Sequence, residues 1–292
     1  MVKPITPSGI IQQSDFDTYA NDWINIVTDE SKANELRDCF RYNGLKSKEV
    51  KQNINFVKFS ALQIAQLVST VGASNIKARF LIIRDNKTDL YPAGYPHFAL
   101  ALFATDNLNG RLSAYYVSSF YWLLQDAAEP TQTEGEVLDS PTGLPSEFTS
   151  GQLPDALATY WQQNWSPPGE DPDAKQDMFD STYGYLRGYT FELNDFVMPL
   201  ASIPANKSID TASPIRINFG LHQYYPATTD VQELNSTFGL MVSYTSNLKF
   251  KAAGLEKHAM AAELATSANP DSNPAADVDV FYDLANPCPP KC

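Results

Sequence analysis

Three histidines, three cysteines and a few acidic clusters are the residues through which this chain could do chemistry. His97, His222 and His258 stand too far apart in sequence to make a paired metal-ligand motif. His222 has the most suggestive surroundings: Phe219-Gly-Leu-His-Gln-Tyr-Tyr-Pro226 places it on a strand beside aromatic side chains. A general base there needs an orienting carboxylate and a cleft, and a strand histidine hydrogen-bonded to a neighbour is the commoner case. The chain carries no Walker loop, no Gly-x-Gly-x-x-Gly, no His-Glu-x-x-His and no Gly-x-Ser-x-Gly. No catalytic residue is therefore assigned, and a hydrolase working through carboxylates and His222 is only a second alternative.

The carboxylates fall into two groups. Asp171, Asp173, Asp177 and Asp180 form one, and Asp277, Asp279 and Asp283 the other. Either could gather oxygens around Ca²⁺ or Mg²⁺, but neither has EF-hand spacing or its turn glycine. They read as solvated acidic faces, so no metal and no cofactor is assigned. Cys288 and Cys292 close the chain in Cys-Pro-Pro-Lys-Cys. They are candidates for crosslinking within or between chains, because a metal site needs further ligands nearby. Cys39, beside Phe40 in a helical pattern, reads as a small buried apolar residue.

A binding surface is the other chemical option. Tyr183, Tyr185, Arg187 and Tyr189 alternate with glycines in Tyr-Gly-Tyr-Leu-Arg-Gly-Tyr. With His222 and Tyr224 they make a candidate ligand-binding set for a peptide or carbohydrate, since tyrosine offers an apolar face and a polar tip.

Charge divides the chain more sharply than these motifs do. It has 292 residues with 21 Lys+Arg against 34 Asp+Glu, a net charge of −13. Residues 126–182 hold twelve acidic side chains and one basic, Lys175, while residues 1–125 are slightly basic. A phosphate-backbone binder needs clustered Lys and Arg over much of its surface, so nucleic acid is not an expected partner. The expected partner is the chain itself. Lys32, Arg37, Arg41, Lys46, Lys48 and Lys51 form a basic group, and Glu170, Asp171, Asp173 and Asp177 an acidic one. Opposite patches on one chain can close on each other or on the next copy, and an unclosed head-to-tail contact grows into a filament.

The elements that must position these residues follow from periodicity. Phe16, Tyr19, Trp23 and Ile26 mark a helix over 10–27, with Ser14 or Asp15 as cap. A second helix covers 31–42. A third starts at Ser60 and stops near Gly72. Strands are expected over 76–83, 98–103, 111–117, 187–193, 215–224 and 237–244. Short helices are expected over 154–165 and from Asn194 or Asp195 to the bend imposed by Pro199, with another over 252–265. Ile76-Lys-Ala-Arg-Phe-Leu-Ile and Ile215-Arg-Ile-Asn-Phe-Gly-Leu echo each other, each followed by a similar second strand.

The expected fold is α+β: an antiparallel or mixed sheet with helices on one face, a long acidic loop insertion and an extended C-terminal arm. Residues 1–265 form one domain, with 126–182 the acidic Pro/Gly-rich insertion, and 266–292 form the arm, pinned by Val278, Val280, Phe281 and Leu284. With no membrane span, no secretory leader and few cysteines, the expected setting is the cytoplasm. The leading functional expectation is a non-enzymatic, self-associating structural protein.

Overall fold

The computed structural model describes residues 9–44, 47–84, 94–118, 153, 155–167, 174–181, 184–201, 203, 209, 214–224, 234–246, 278–284 and 286–287. The fold is α+β and its sheets are antiparallel throughout. Twelve strands and five α-helices lie among these residues. A six-stranded sheet has the order β1 (Ile10–Ile11), β7 (Tyr115–Val117), β6 (His97–Thr105), β5 (Asn75–Ile83), β8 (Gly188–Glu192), β12 (Asn286–Pro287). A four-stranded sheet has the order β11 (Val278–Leu284), β10 (Asn235–Ser246), β9 (Ile215–Tyr224), β4 (Phe56–Phe59). A separate hairpin joins β2 (Arg41–Gly44) and β3 (Ser47–Asn53).

Register explains how the two sheets share a core. Antiparallel neighbours directly opposite each other point to the same face. On the six-stranded sheet the pairs Ala78–Leu102, Phe80–Leu100 and Ile82–Phe98 lie on the inner face. On the four-stranded sheet the inner pairs are Phe219–Leu240 and Ile217–Val242, with Val57 and Phe59 of β4 beside them. All belong to one buried cluster, so the two sheets pack face to face. The alternate residues Leu81, Ile83, Ala99, Ala101 and Phe103 form a second cluster on the outer face of the larger sheet.

Helices close what the sheets leave open. Helix α1 (Gln13–Val27) places Phe16 and Tyr19 in the outer cluster, and Trp23, Ile26 and Val27 in the main core. Its N-cap is Gln12, two residues ahead of Ser14, with no side-chain cap bond, and Ile10–Ile11 form strand β1 instead of the helix's first turn. Helix α2 (Ala33–Cys39) ends earlier than its charge pattern suggests, because the chain turns at Phe40 into β2. Arg84, just past β5, ties both helices down with a 3.5 Å contact to Asp22 and a 2.6 Å contact to Glu35.

Helix α3 (Ala61–Val68) carries the capping box implied by Ser60. The Ser60 hydroxyl accepts from the Gln63 amide, and the Gln63 side chain accepts from the Ser60 amide. Helix α5 (Asn194–Ala201) runs past Pro199 rather than stopping at it. Helix α4 (Asp155–Trp165) lies within the acidic segment, yet it packs against β9 and sends Trp165 into the main core. Phe179, at the end of a 3-10 turn over Gln176–Phe179, is buried there too. The two echoing sequence segments become the β5–β6 and β9–β10 pairs, one in each sheet, each preceded by a helix. The helix expected over 252–265 lies outside the described residues. No helix among the described residues is long and apolar enough to cross a membrane.

Candidate functional site

The richest polar and aromatic grouping sits where α4 crosses the outer face of the four-stranded sheet. Two glycines make that approach close: Gly220 and Gly239 stand directly opposite each other on β9 and β10. A Cβ at Gly220 would lie 3.0 Å from the Trp161 Cβ and 2.8 Å from the Met241 methyl. A Cβ at Gly239 would run into the His222 ring. The bare backbone therefore leaves the hollow into which Trp161 and His222 fit, stacked at 4.2 Å and 28°. Ala158, Trp161 and Met241 fill it as a small buried cluster, with Leu153 packed beside them.

Hydrogen bonds hold the helix at this register. The Tyr160 hydroxyl donates to Gln223 Oε1 at 2.6 Å, and Asn164 Nδ2 donates to the Leu221 carbonyl at 3.4 Å. His222 Nε2 is buried without a hydrogen-bond partner among the described residues, and burial lowers the ring's pKa to about 4. The imidazole is thus neutral at physiological pH. Among the described residues no carboxylate orients it. Further along the same face, the Lys58 ammonium and Arg216 guanidinium lie 5.4 and 5.0 Å from the Phe56 ring centroid. Asn218 Nδ2 donates to the Ser243 hydroxyl at 2.6 Å in the middle of the sheet.

The structure separates the residues grouped by sequence. His222 and Tyr224 do share the outer face near the end of β9. Tyr189 does not join them: it is 3% exposed on β8, facing the core, and its hydroxyl donates to the Phe238 carbonyl of the opposite sheet. Its polar tip links two sheets rather than meeting a ligand. Tyr185 packs half-buried against the main core, and the Arg187 carbonyl accepts from the Phe80 amide. Tyr183 lies outside the described residues. The members of this site that the sequence reading passed over include Tyr160, Trp161 and Asn164. Their signal was present in the helix 154–165, whose polar residues recur one turn apart.

The charged groups are placed as follows. Lys32 pairs with Asp29 at 3.7 Å, and Arg37 donates to Asn34 at 3.1 Å. Arg41 begins β2, and Lys48 and Lys51 lie on β3. Asp177 is exposed on the 3-10 turn. That turn reaches the basic region through Gln176, whose amide donates to the Asp29 carbonyl at 3.3 Å. Lys46, Glu170, Asp171, Asp173, Cys288 and Cys292 lie outside the described residues. Cys39 is buried, its thiol donating to the Glu35 carbonyl at 3.1 Å, and burial pushes its pKa up, away from reactivity. No group of three or more metal-ligating side chains gathers among the described residues.

The two buried histidines give a pH prediction. Burial lowers His97 on β6 to about 3 and His222 to about 4, whereas the unfolded chain titrates both near 6.5. Below that pH the unfolded chain binds protons that the folded chain refuses. Stability is therefore complete above about pH 7 and falls as the pH drops through 6.5, with the loss levelling off below the folded values. Between pH 7 and 5 the expected loss is about 2 kcal/mol for each histidine. Denaturant midpoints measured across that range should fall, and His222→Phe, which keeps a ring under Trp161, should remove about half of the fall. An identical pH profile in the variant would refute the assignment.

Compared with protein-family models, with curated proteins and with solved structures, the chain matches none.

Proposed function

We propose that the protein is a non-enzymatic structural protein that self-associates into a homopolymer in the cytoplasm. The observation carrying this reading is a pair of exposed apolar groups at strand ends in different sheets. Where β5 begins and β6 ends, Val71 is 93% exposed and Leu108 84% exposed, with Leu112 beside Gly72. Leu108 is held out by a closed turn: Asp106 Oδ1 accepts from the Leu108 and Gly110 amides, and Asn109 adopts φ 68°. At the other group, Tyr224 and Leu234 flank the β9–β10 pair half-exposed, and Tyr160 stands next to them through Gln223.

Val71 and Leu108 are the most exposed large apolar side chains among the described residues, and exposed apolar surface gathered in one place marks interaction sites. Two unlike clusters on one chain fit a head-to-tail contact, which propagates unless its rotation closes a ring. The separation of basic and acidic segments along the chain favours the same geometry. A test is the double variant Val71→Asp, Leu108→Asp, whose sites lie on turns away from the core. Its concentration for half-assembly should rise at least roughly tenfold, the effect of about 1.4 kcal/mol. An unchanged assembly curve would count against this contact.

A second reading, a binding module for a peptide or carbohydrate, draws support from the gathering of Tyr160, Trp161, His222 and Tyr224. It requires a saturable ligand and no growth in mass.

A further inference from the structure

Residues 278–284 and 286–287 edge both sheets at once. β11 runs antiparallel to β10 from Val278 opposite Ser246 to Leu284 opposite Met241. Directly afterwards, β12 sets Asn286 opposite Thr190 and Pro287 opposite Tyr189 on β8. One short stretch thus completes the β10 edge of the smaller sheet and the β8 edge of the larger. Those two edges already stand next to each other, because the Tyr189 hydroxyl on β8 donates to the Phe238 carbonyl on β10.

The connection to this stretch is unusual for the pairing it makes. Neighbouring antiparallel strands are ordinarily joined by loops of about two to five residues. Here residues 247–277 separate β10 from β11. Closing a long connection carries a larger entropy cost than closing a hairpin, so the strand's preference for its own chain is weakened. The main-chain hydrogen bonds it makes are the same whichever copy supplies it, and an edge without it is an open template for a strand.

We propose that residues 278–287 are exchanged between copies, each chain's β11 and β12 completing the β10 and β8 edges of the next. Donor and acceptor are different parts of the molecule, so non-reciprocal exchange leaves one acceptor and one donor at the ends of every assembly, and it grows. This rests on the self-associating reading and gives it a route, with the apolar contacts at the strand ends setting the orientation of successive copies.

The register supplies the test. Thr245 stands opposite Asp279, and Ser246 opposite Val278. Directly opposed residues bring their Cβ atoms close enough for a disulfide with small adjustment. In a full-length chain carrying Cys288→Ser and Cys292→Ser, the pair Thr245→Cys and Asp279→Cys is oxidised at an assembling concentration and run unreduced on a denaturing gel. Ser246→Cys with Val278→Cys is the second pair, should the first fail to close or fold. Exchange predicts a ladder of covalent dimers, trimers and longer species that collapses on reduction. Crosslinked product found only at monomer mass overturns exchange. Light scattering on the same samples separates the two ideas: growth without interchain crosslinks removes exchange alone, whereas a monomer at every concentration removes self-association as well.

Discussion

Replacing Trp23 with alanine is expected to lower the stability of the fold by about 4 kcal/mol, near the top of the range for a single core truncation. Trp23 is fully buried and sits where helix and both sheets converge. Its ring meets Phe80 at 5.1 Å, Phe98 at 5.5 Å and Phe179 at 5.0 Å, each nearly edge-on. These geometries suit the aromatic quadrupole and add to the area buried. Its indole nitrogen donates to the Leu186 carbonyl at 2.8 Å, so truncation also leaves a buried acceptor without its partner. Trp23→Phe should retain most of the ring contacts and lose the hydrogen bond, costing about 1–2 kcal/mol. Denaturant unfolding of the two variants beside the parent checks both numbers. A loss below about 1 kcal/mol for Trp23→Ala would contradict the core described here.

Gly188→Ala is expected to be almost as damaging for a different reason. Gly188 opens β8 at φ 150°, opposite Arg79 on β5. An added Cβ would clash with the Ala78 carbonyl oxygen, far closer than van der Waals contact allows, and would lie 2.9 Å from the Arg79 Cα. The atoms in the way are backbone, so no side chain can swing aside; β8 must lift off β5. A loss of about 3–5 kcal/mol is expected, combining backbone strain with disrupted strand pairing. Gly94 provides the control. It has φ 80° but nothing within 4 Å of an added Cβ. Gly94→Ala should therefore cost only the conformational term, about 1–2 kcal/mol. Equal losses at the two glycines would show that contact with β5 is not what requires Gly188.

Local signals and long-range packing were not equally legible in the sequence. Helix α3 was readable because Ser60 and Gln63 lie three residues apart and satisfy each other, a contact that needs no other part of the chain. β5 and β6 were readable because their apolar runs bury on both faces. β3 and β4 were not. Their lysines break the apolar pattern and read as part of a basic patch, whereas Lys58 is buried on β4 near the Phe56 ring while Val57 and Phe59 point to the core. The acidic segment concealed its role similarly. Its average charge suggests a solvated loop, but Trp165 and Phe179 anchor it to Phe40 at 5.0 and 5.7 Å.

The candidate site was half legible. His222 and Tyr224 share a face because residues two apart on a strand always do. Tyr189 was grouped with them on composition, yet its strand belongs to the other sheet, which no local pattern reveals. The Gly220–Gly239 opposition, which admits Trp161, depends on the register of β9 against β10. That register is set by burial of the inner face and becomes visible only once the sheet is assembled.

The proposal built on the exposed strand-end residues and the shared edge strands is that the protein binds copies of itself. Light scattering of the full-length chain across a concentration series, at low and high salt and with reductant present, tests this most directly. The expected result is mass that grows with concentration into regular polymers, weakening at high salt where charge pairing contributes. A constant mass near the 32.4 kDa of one chain under every condition would contradict it.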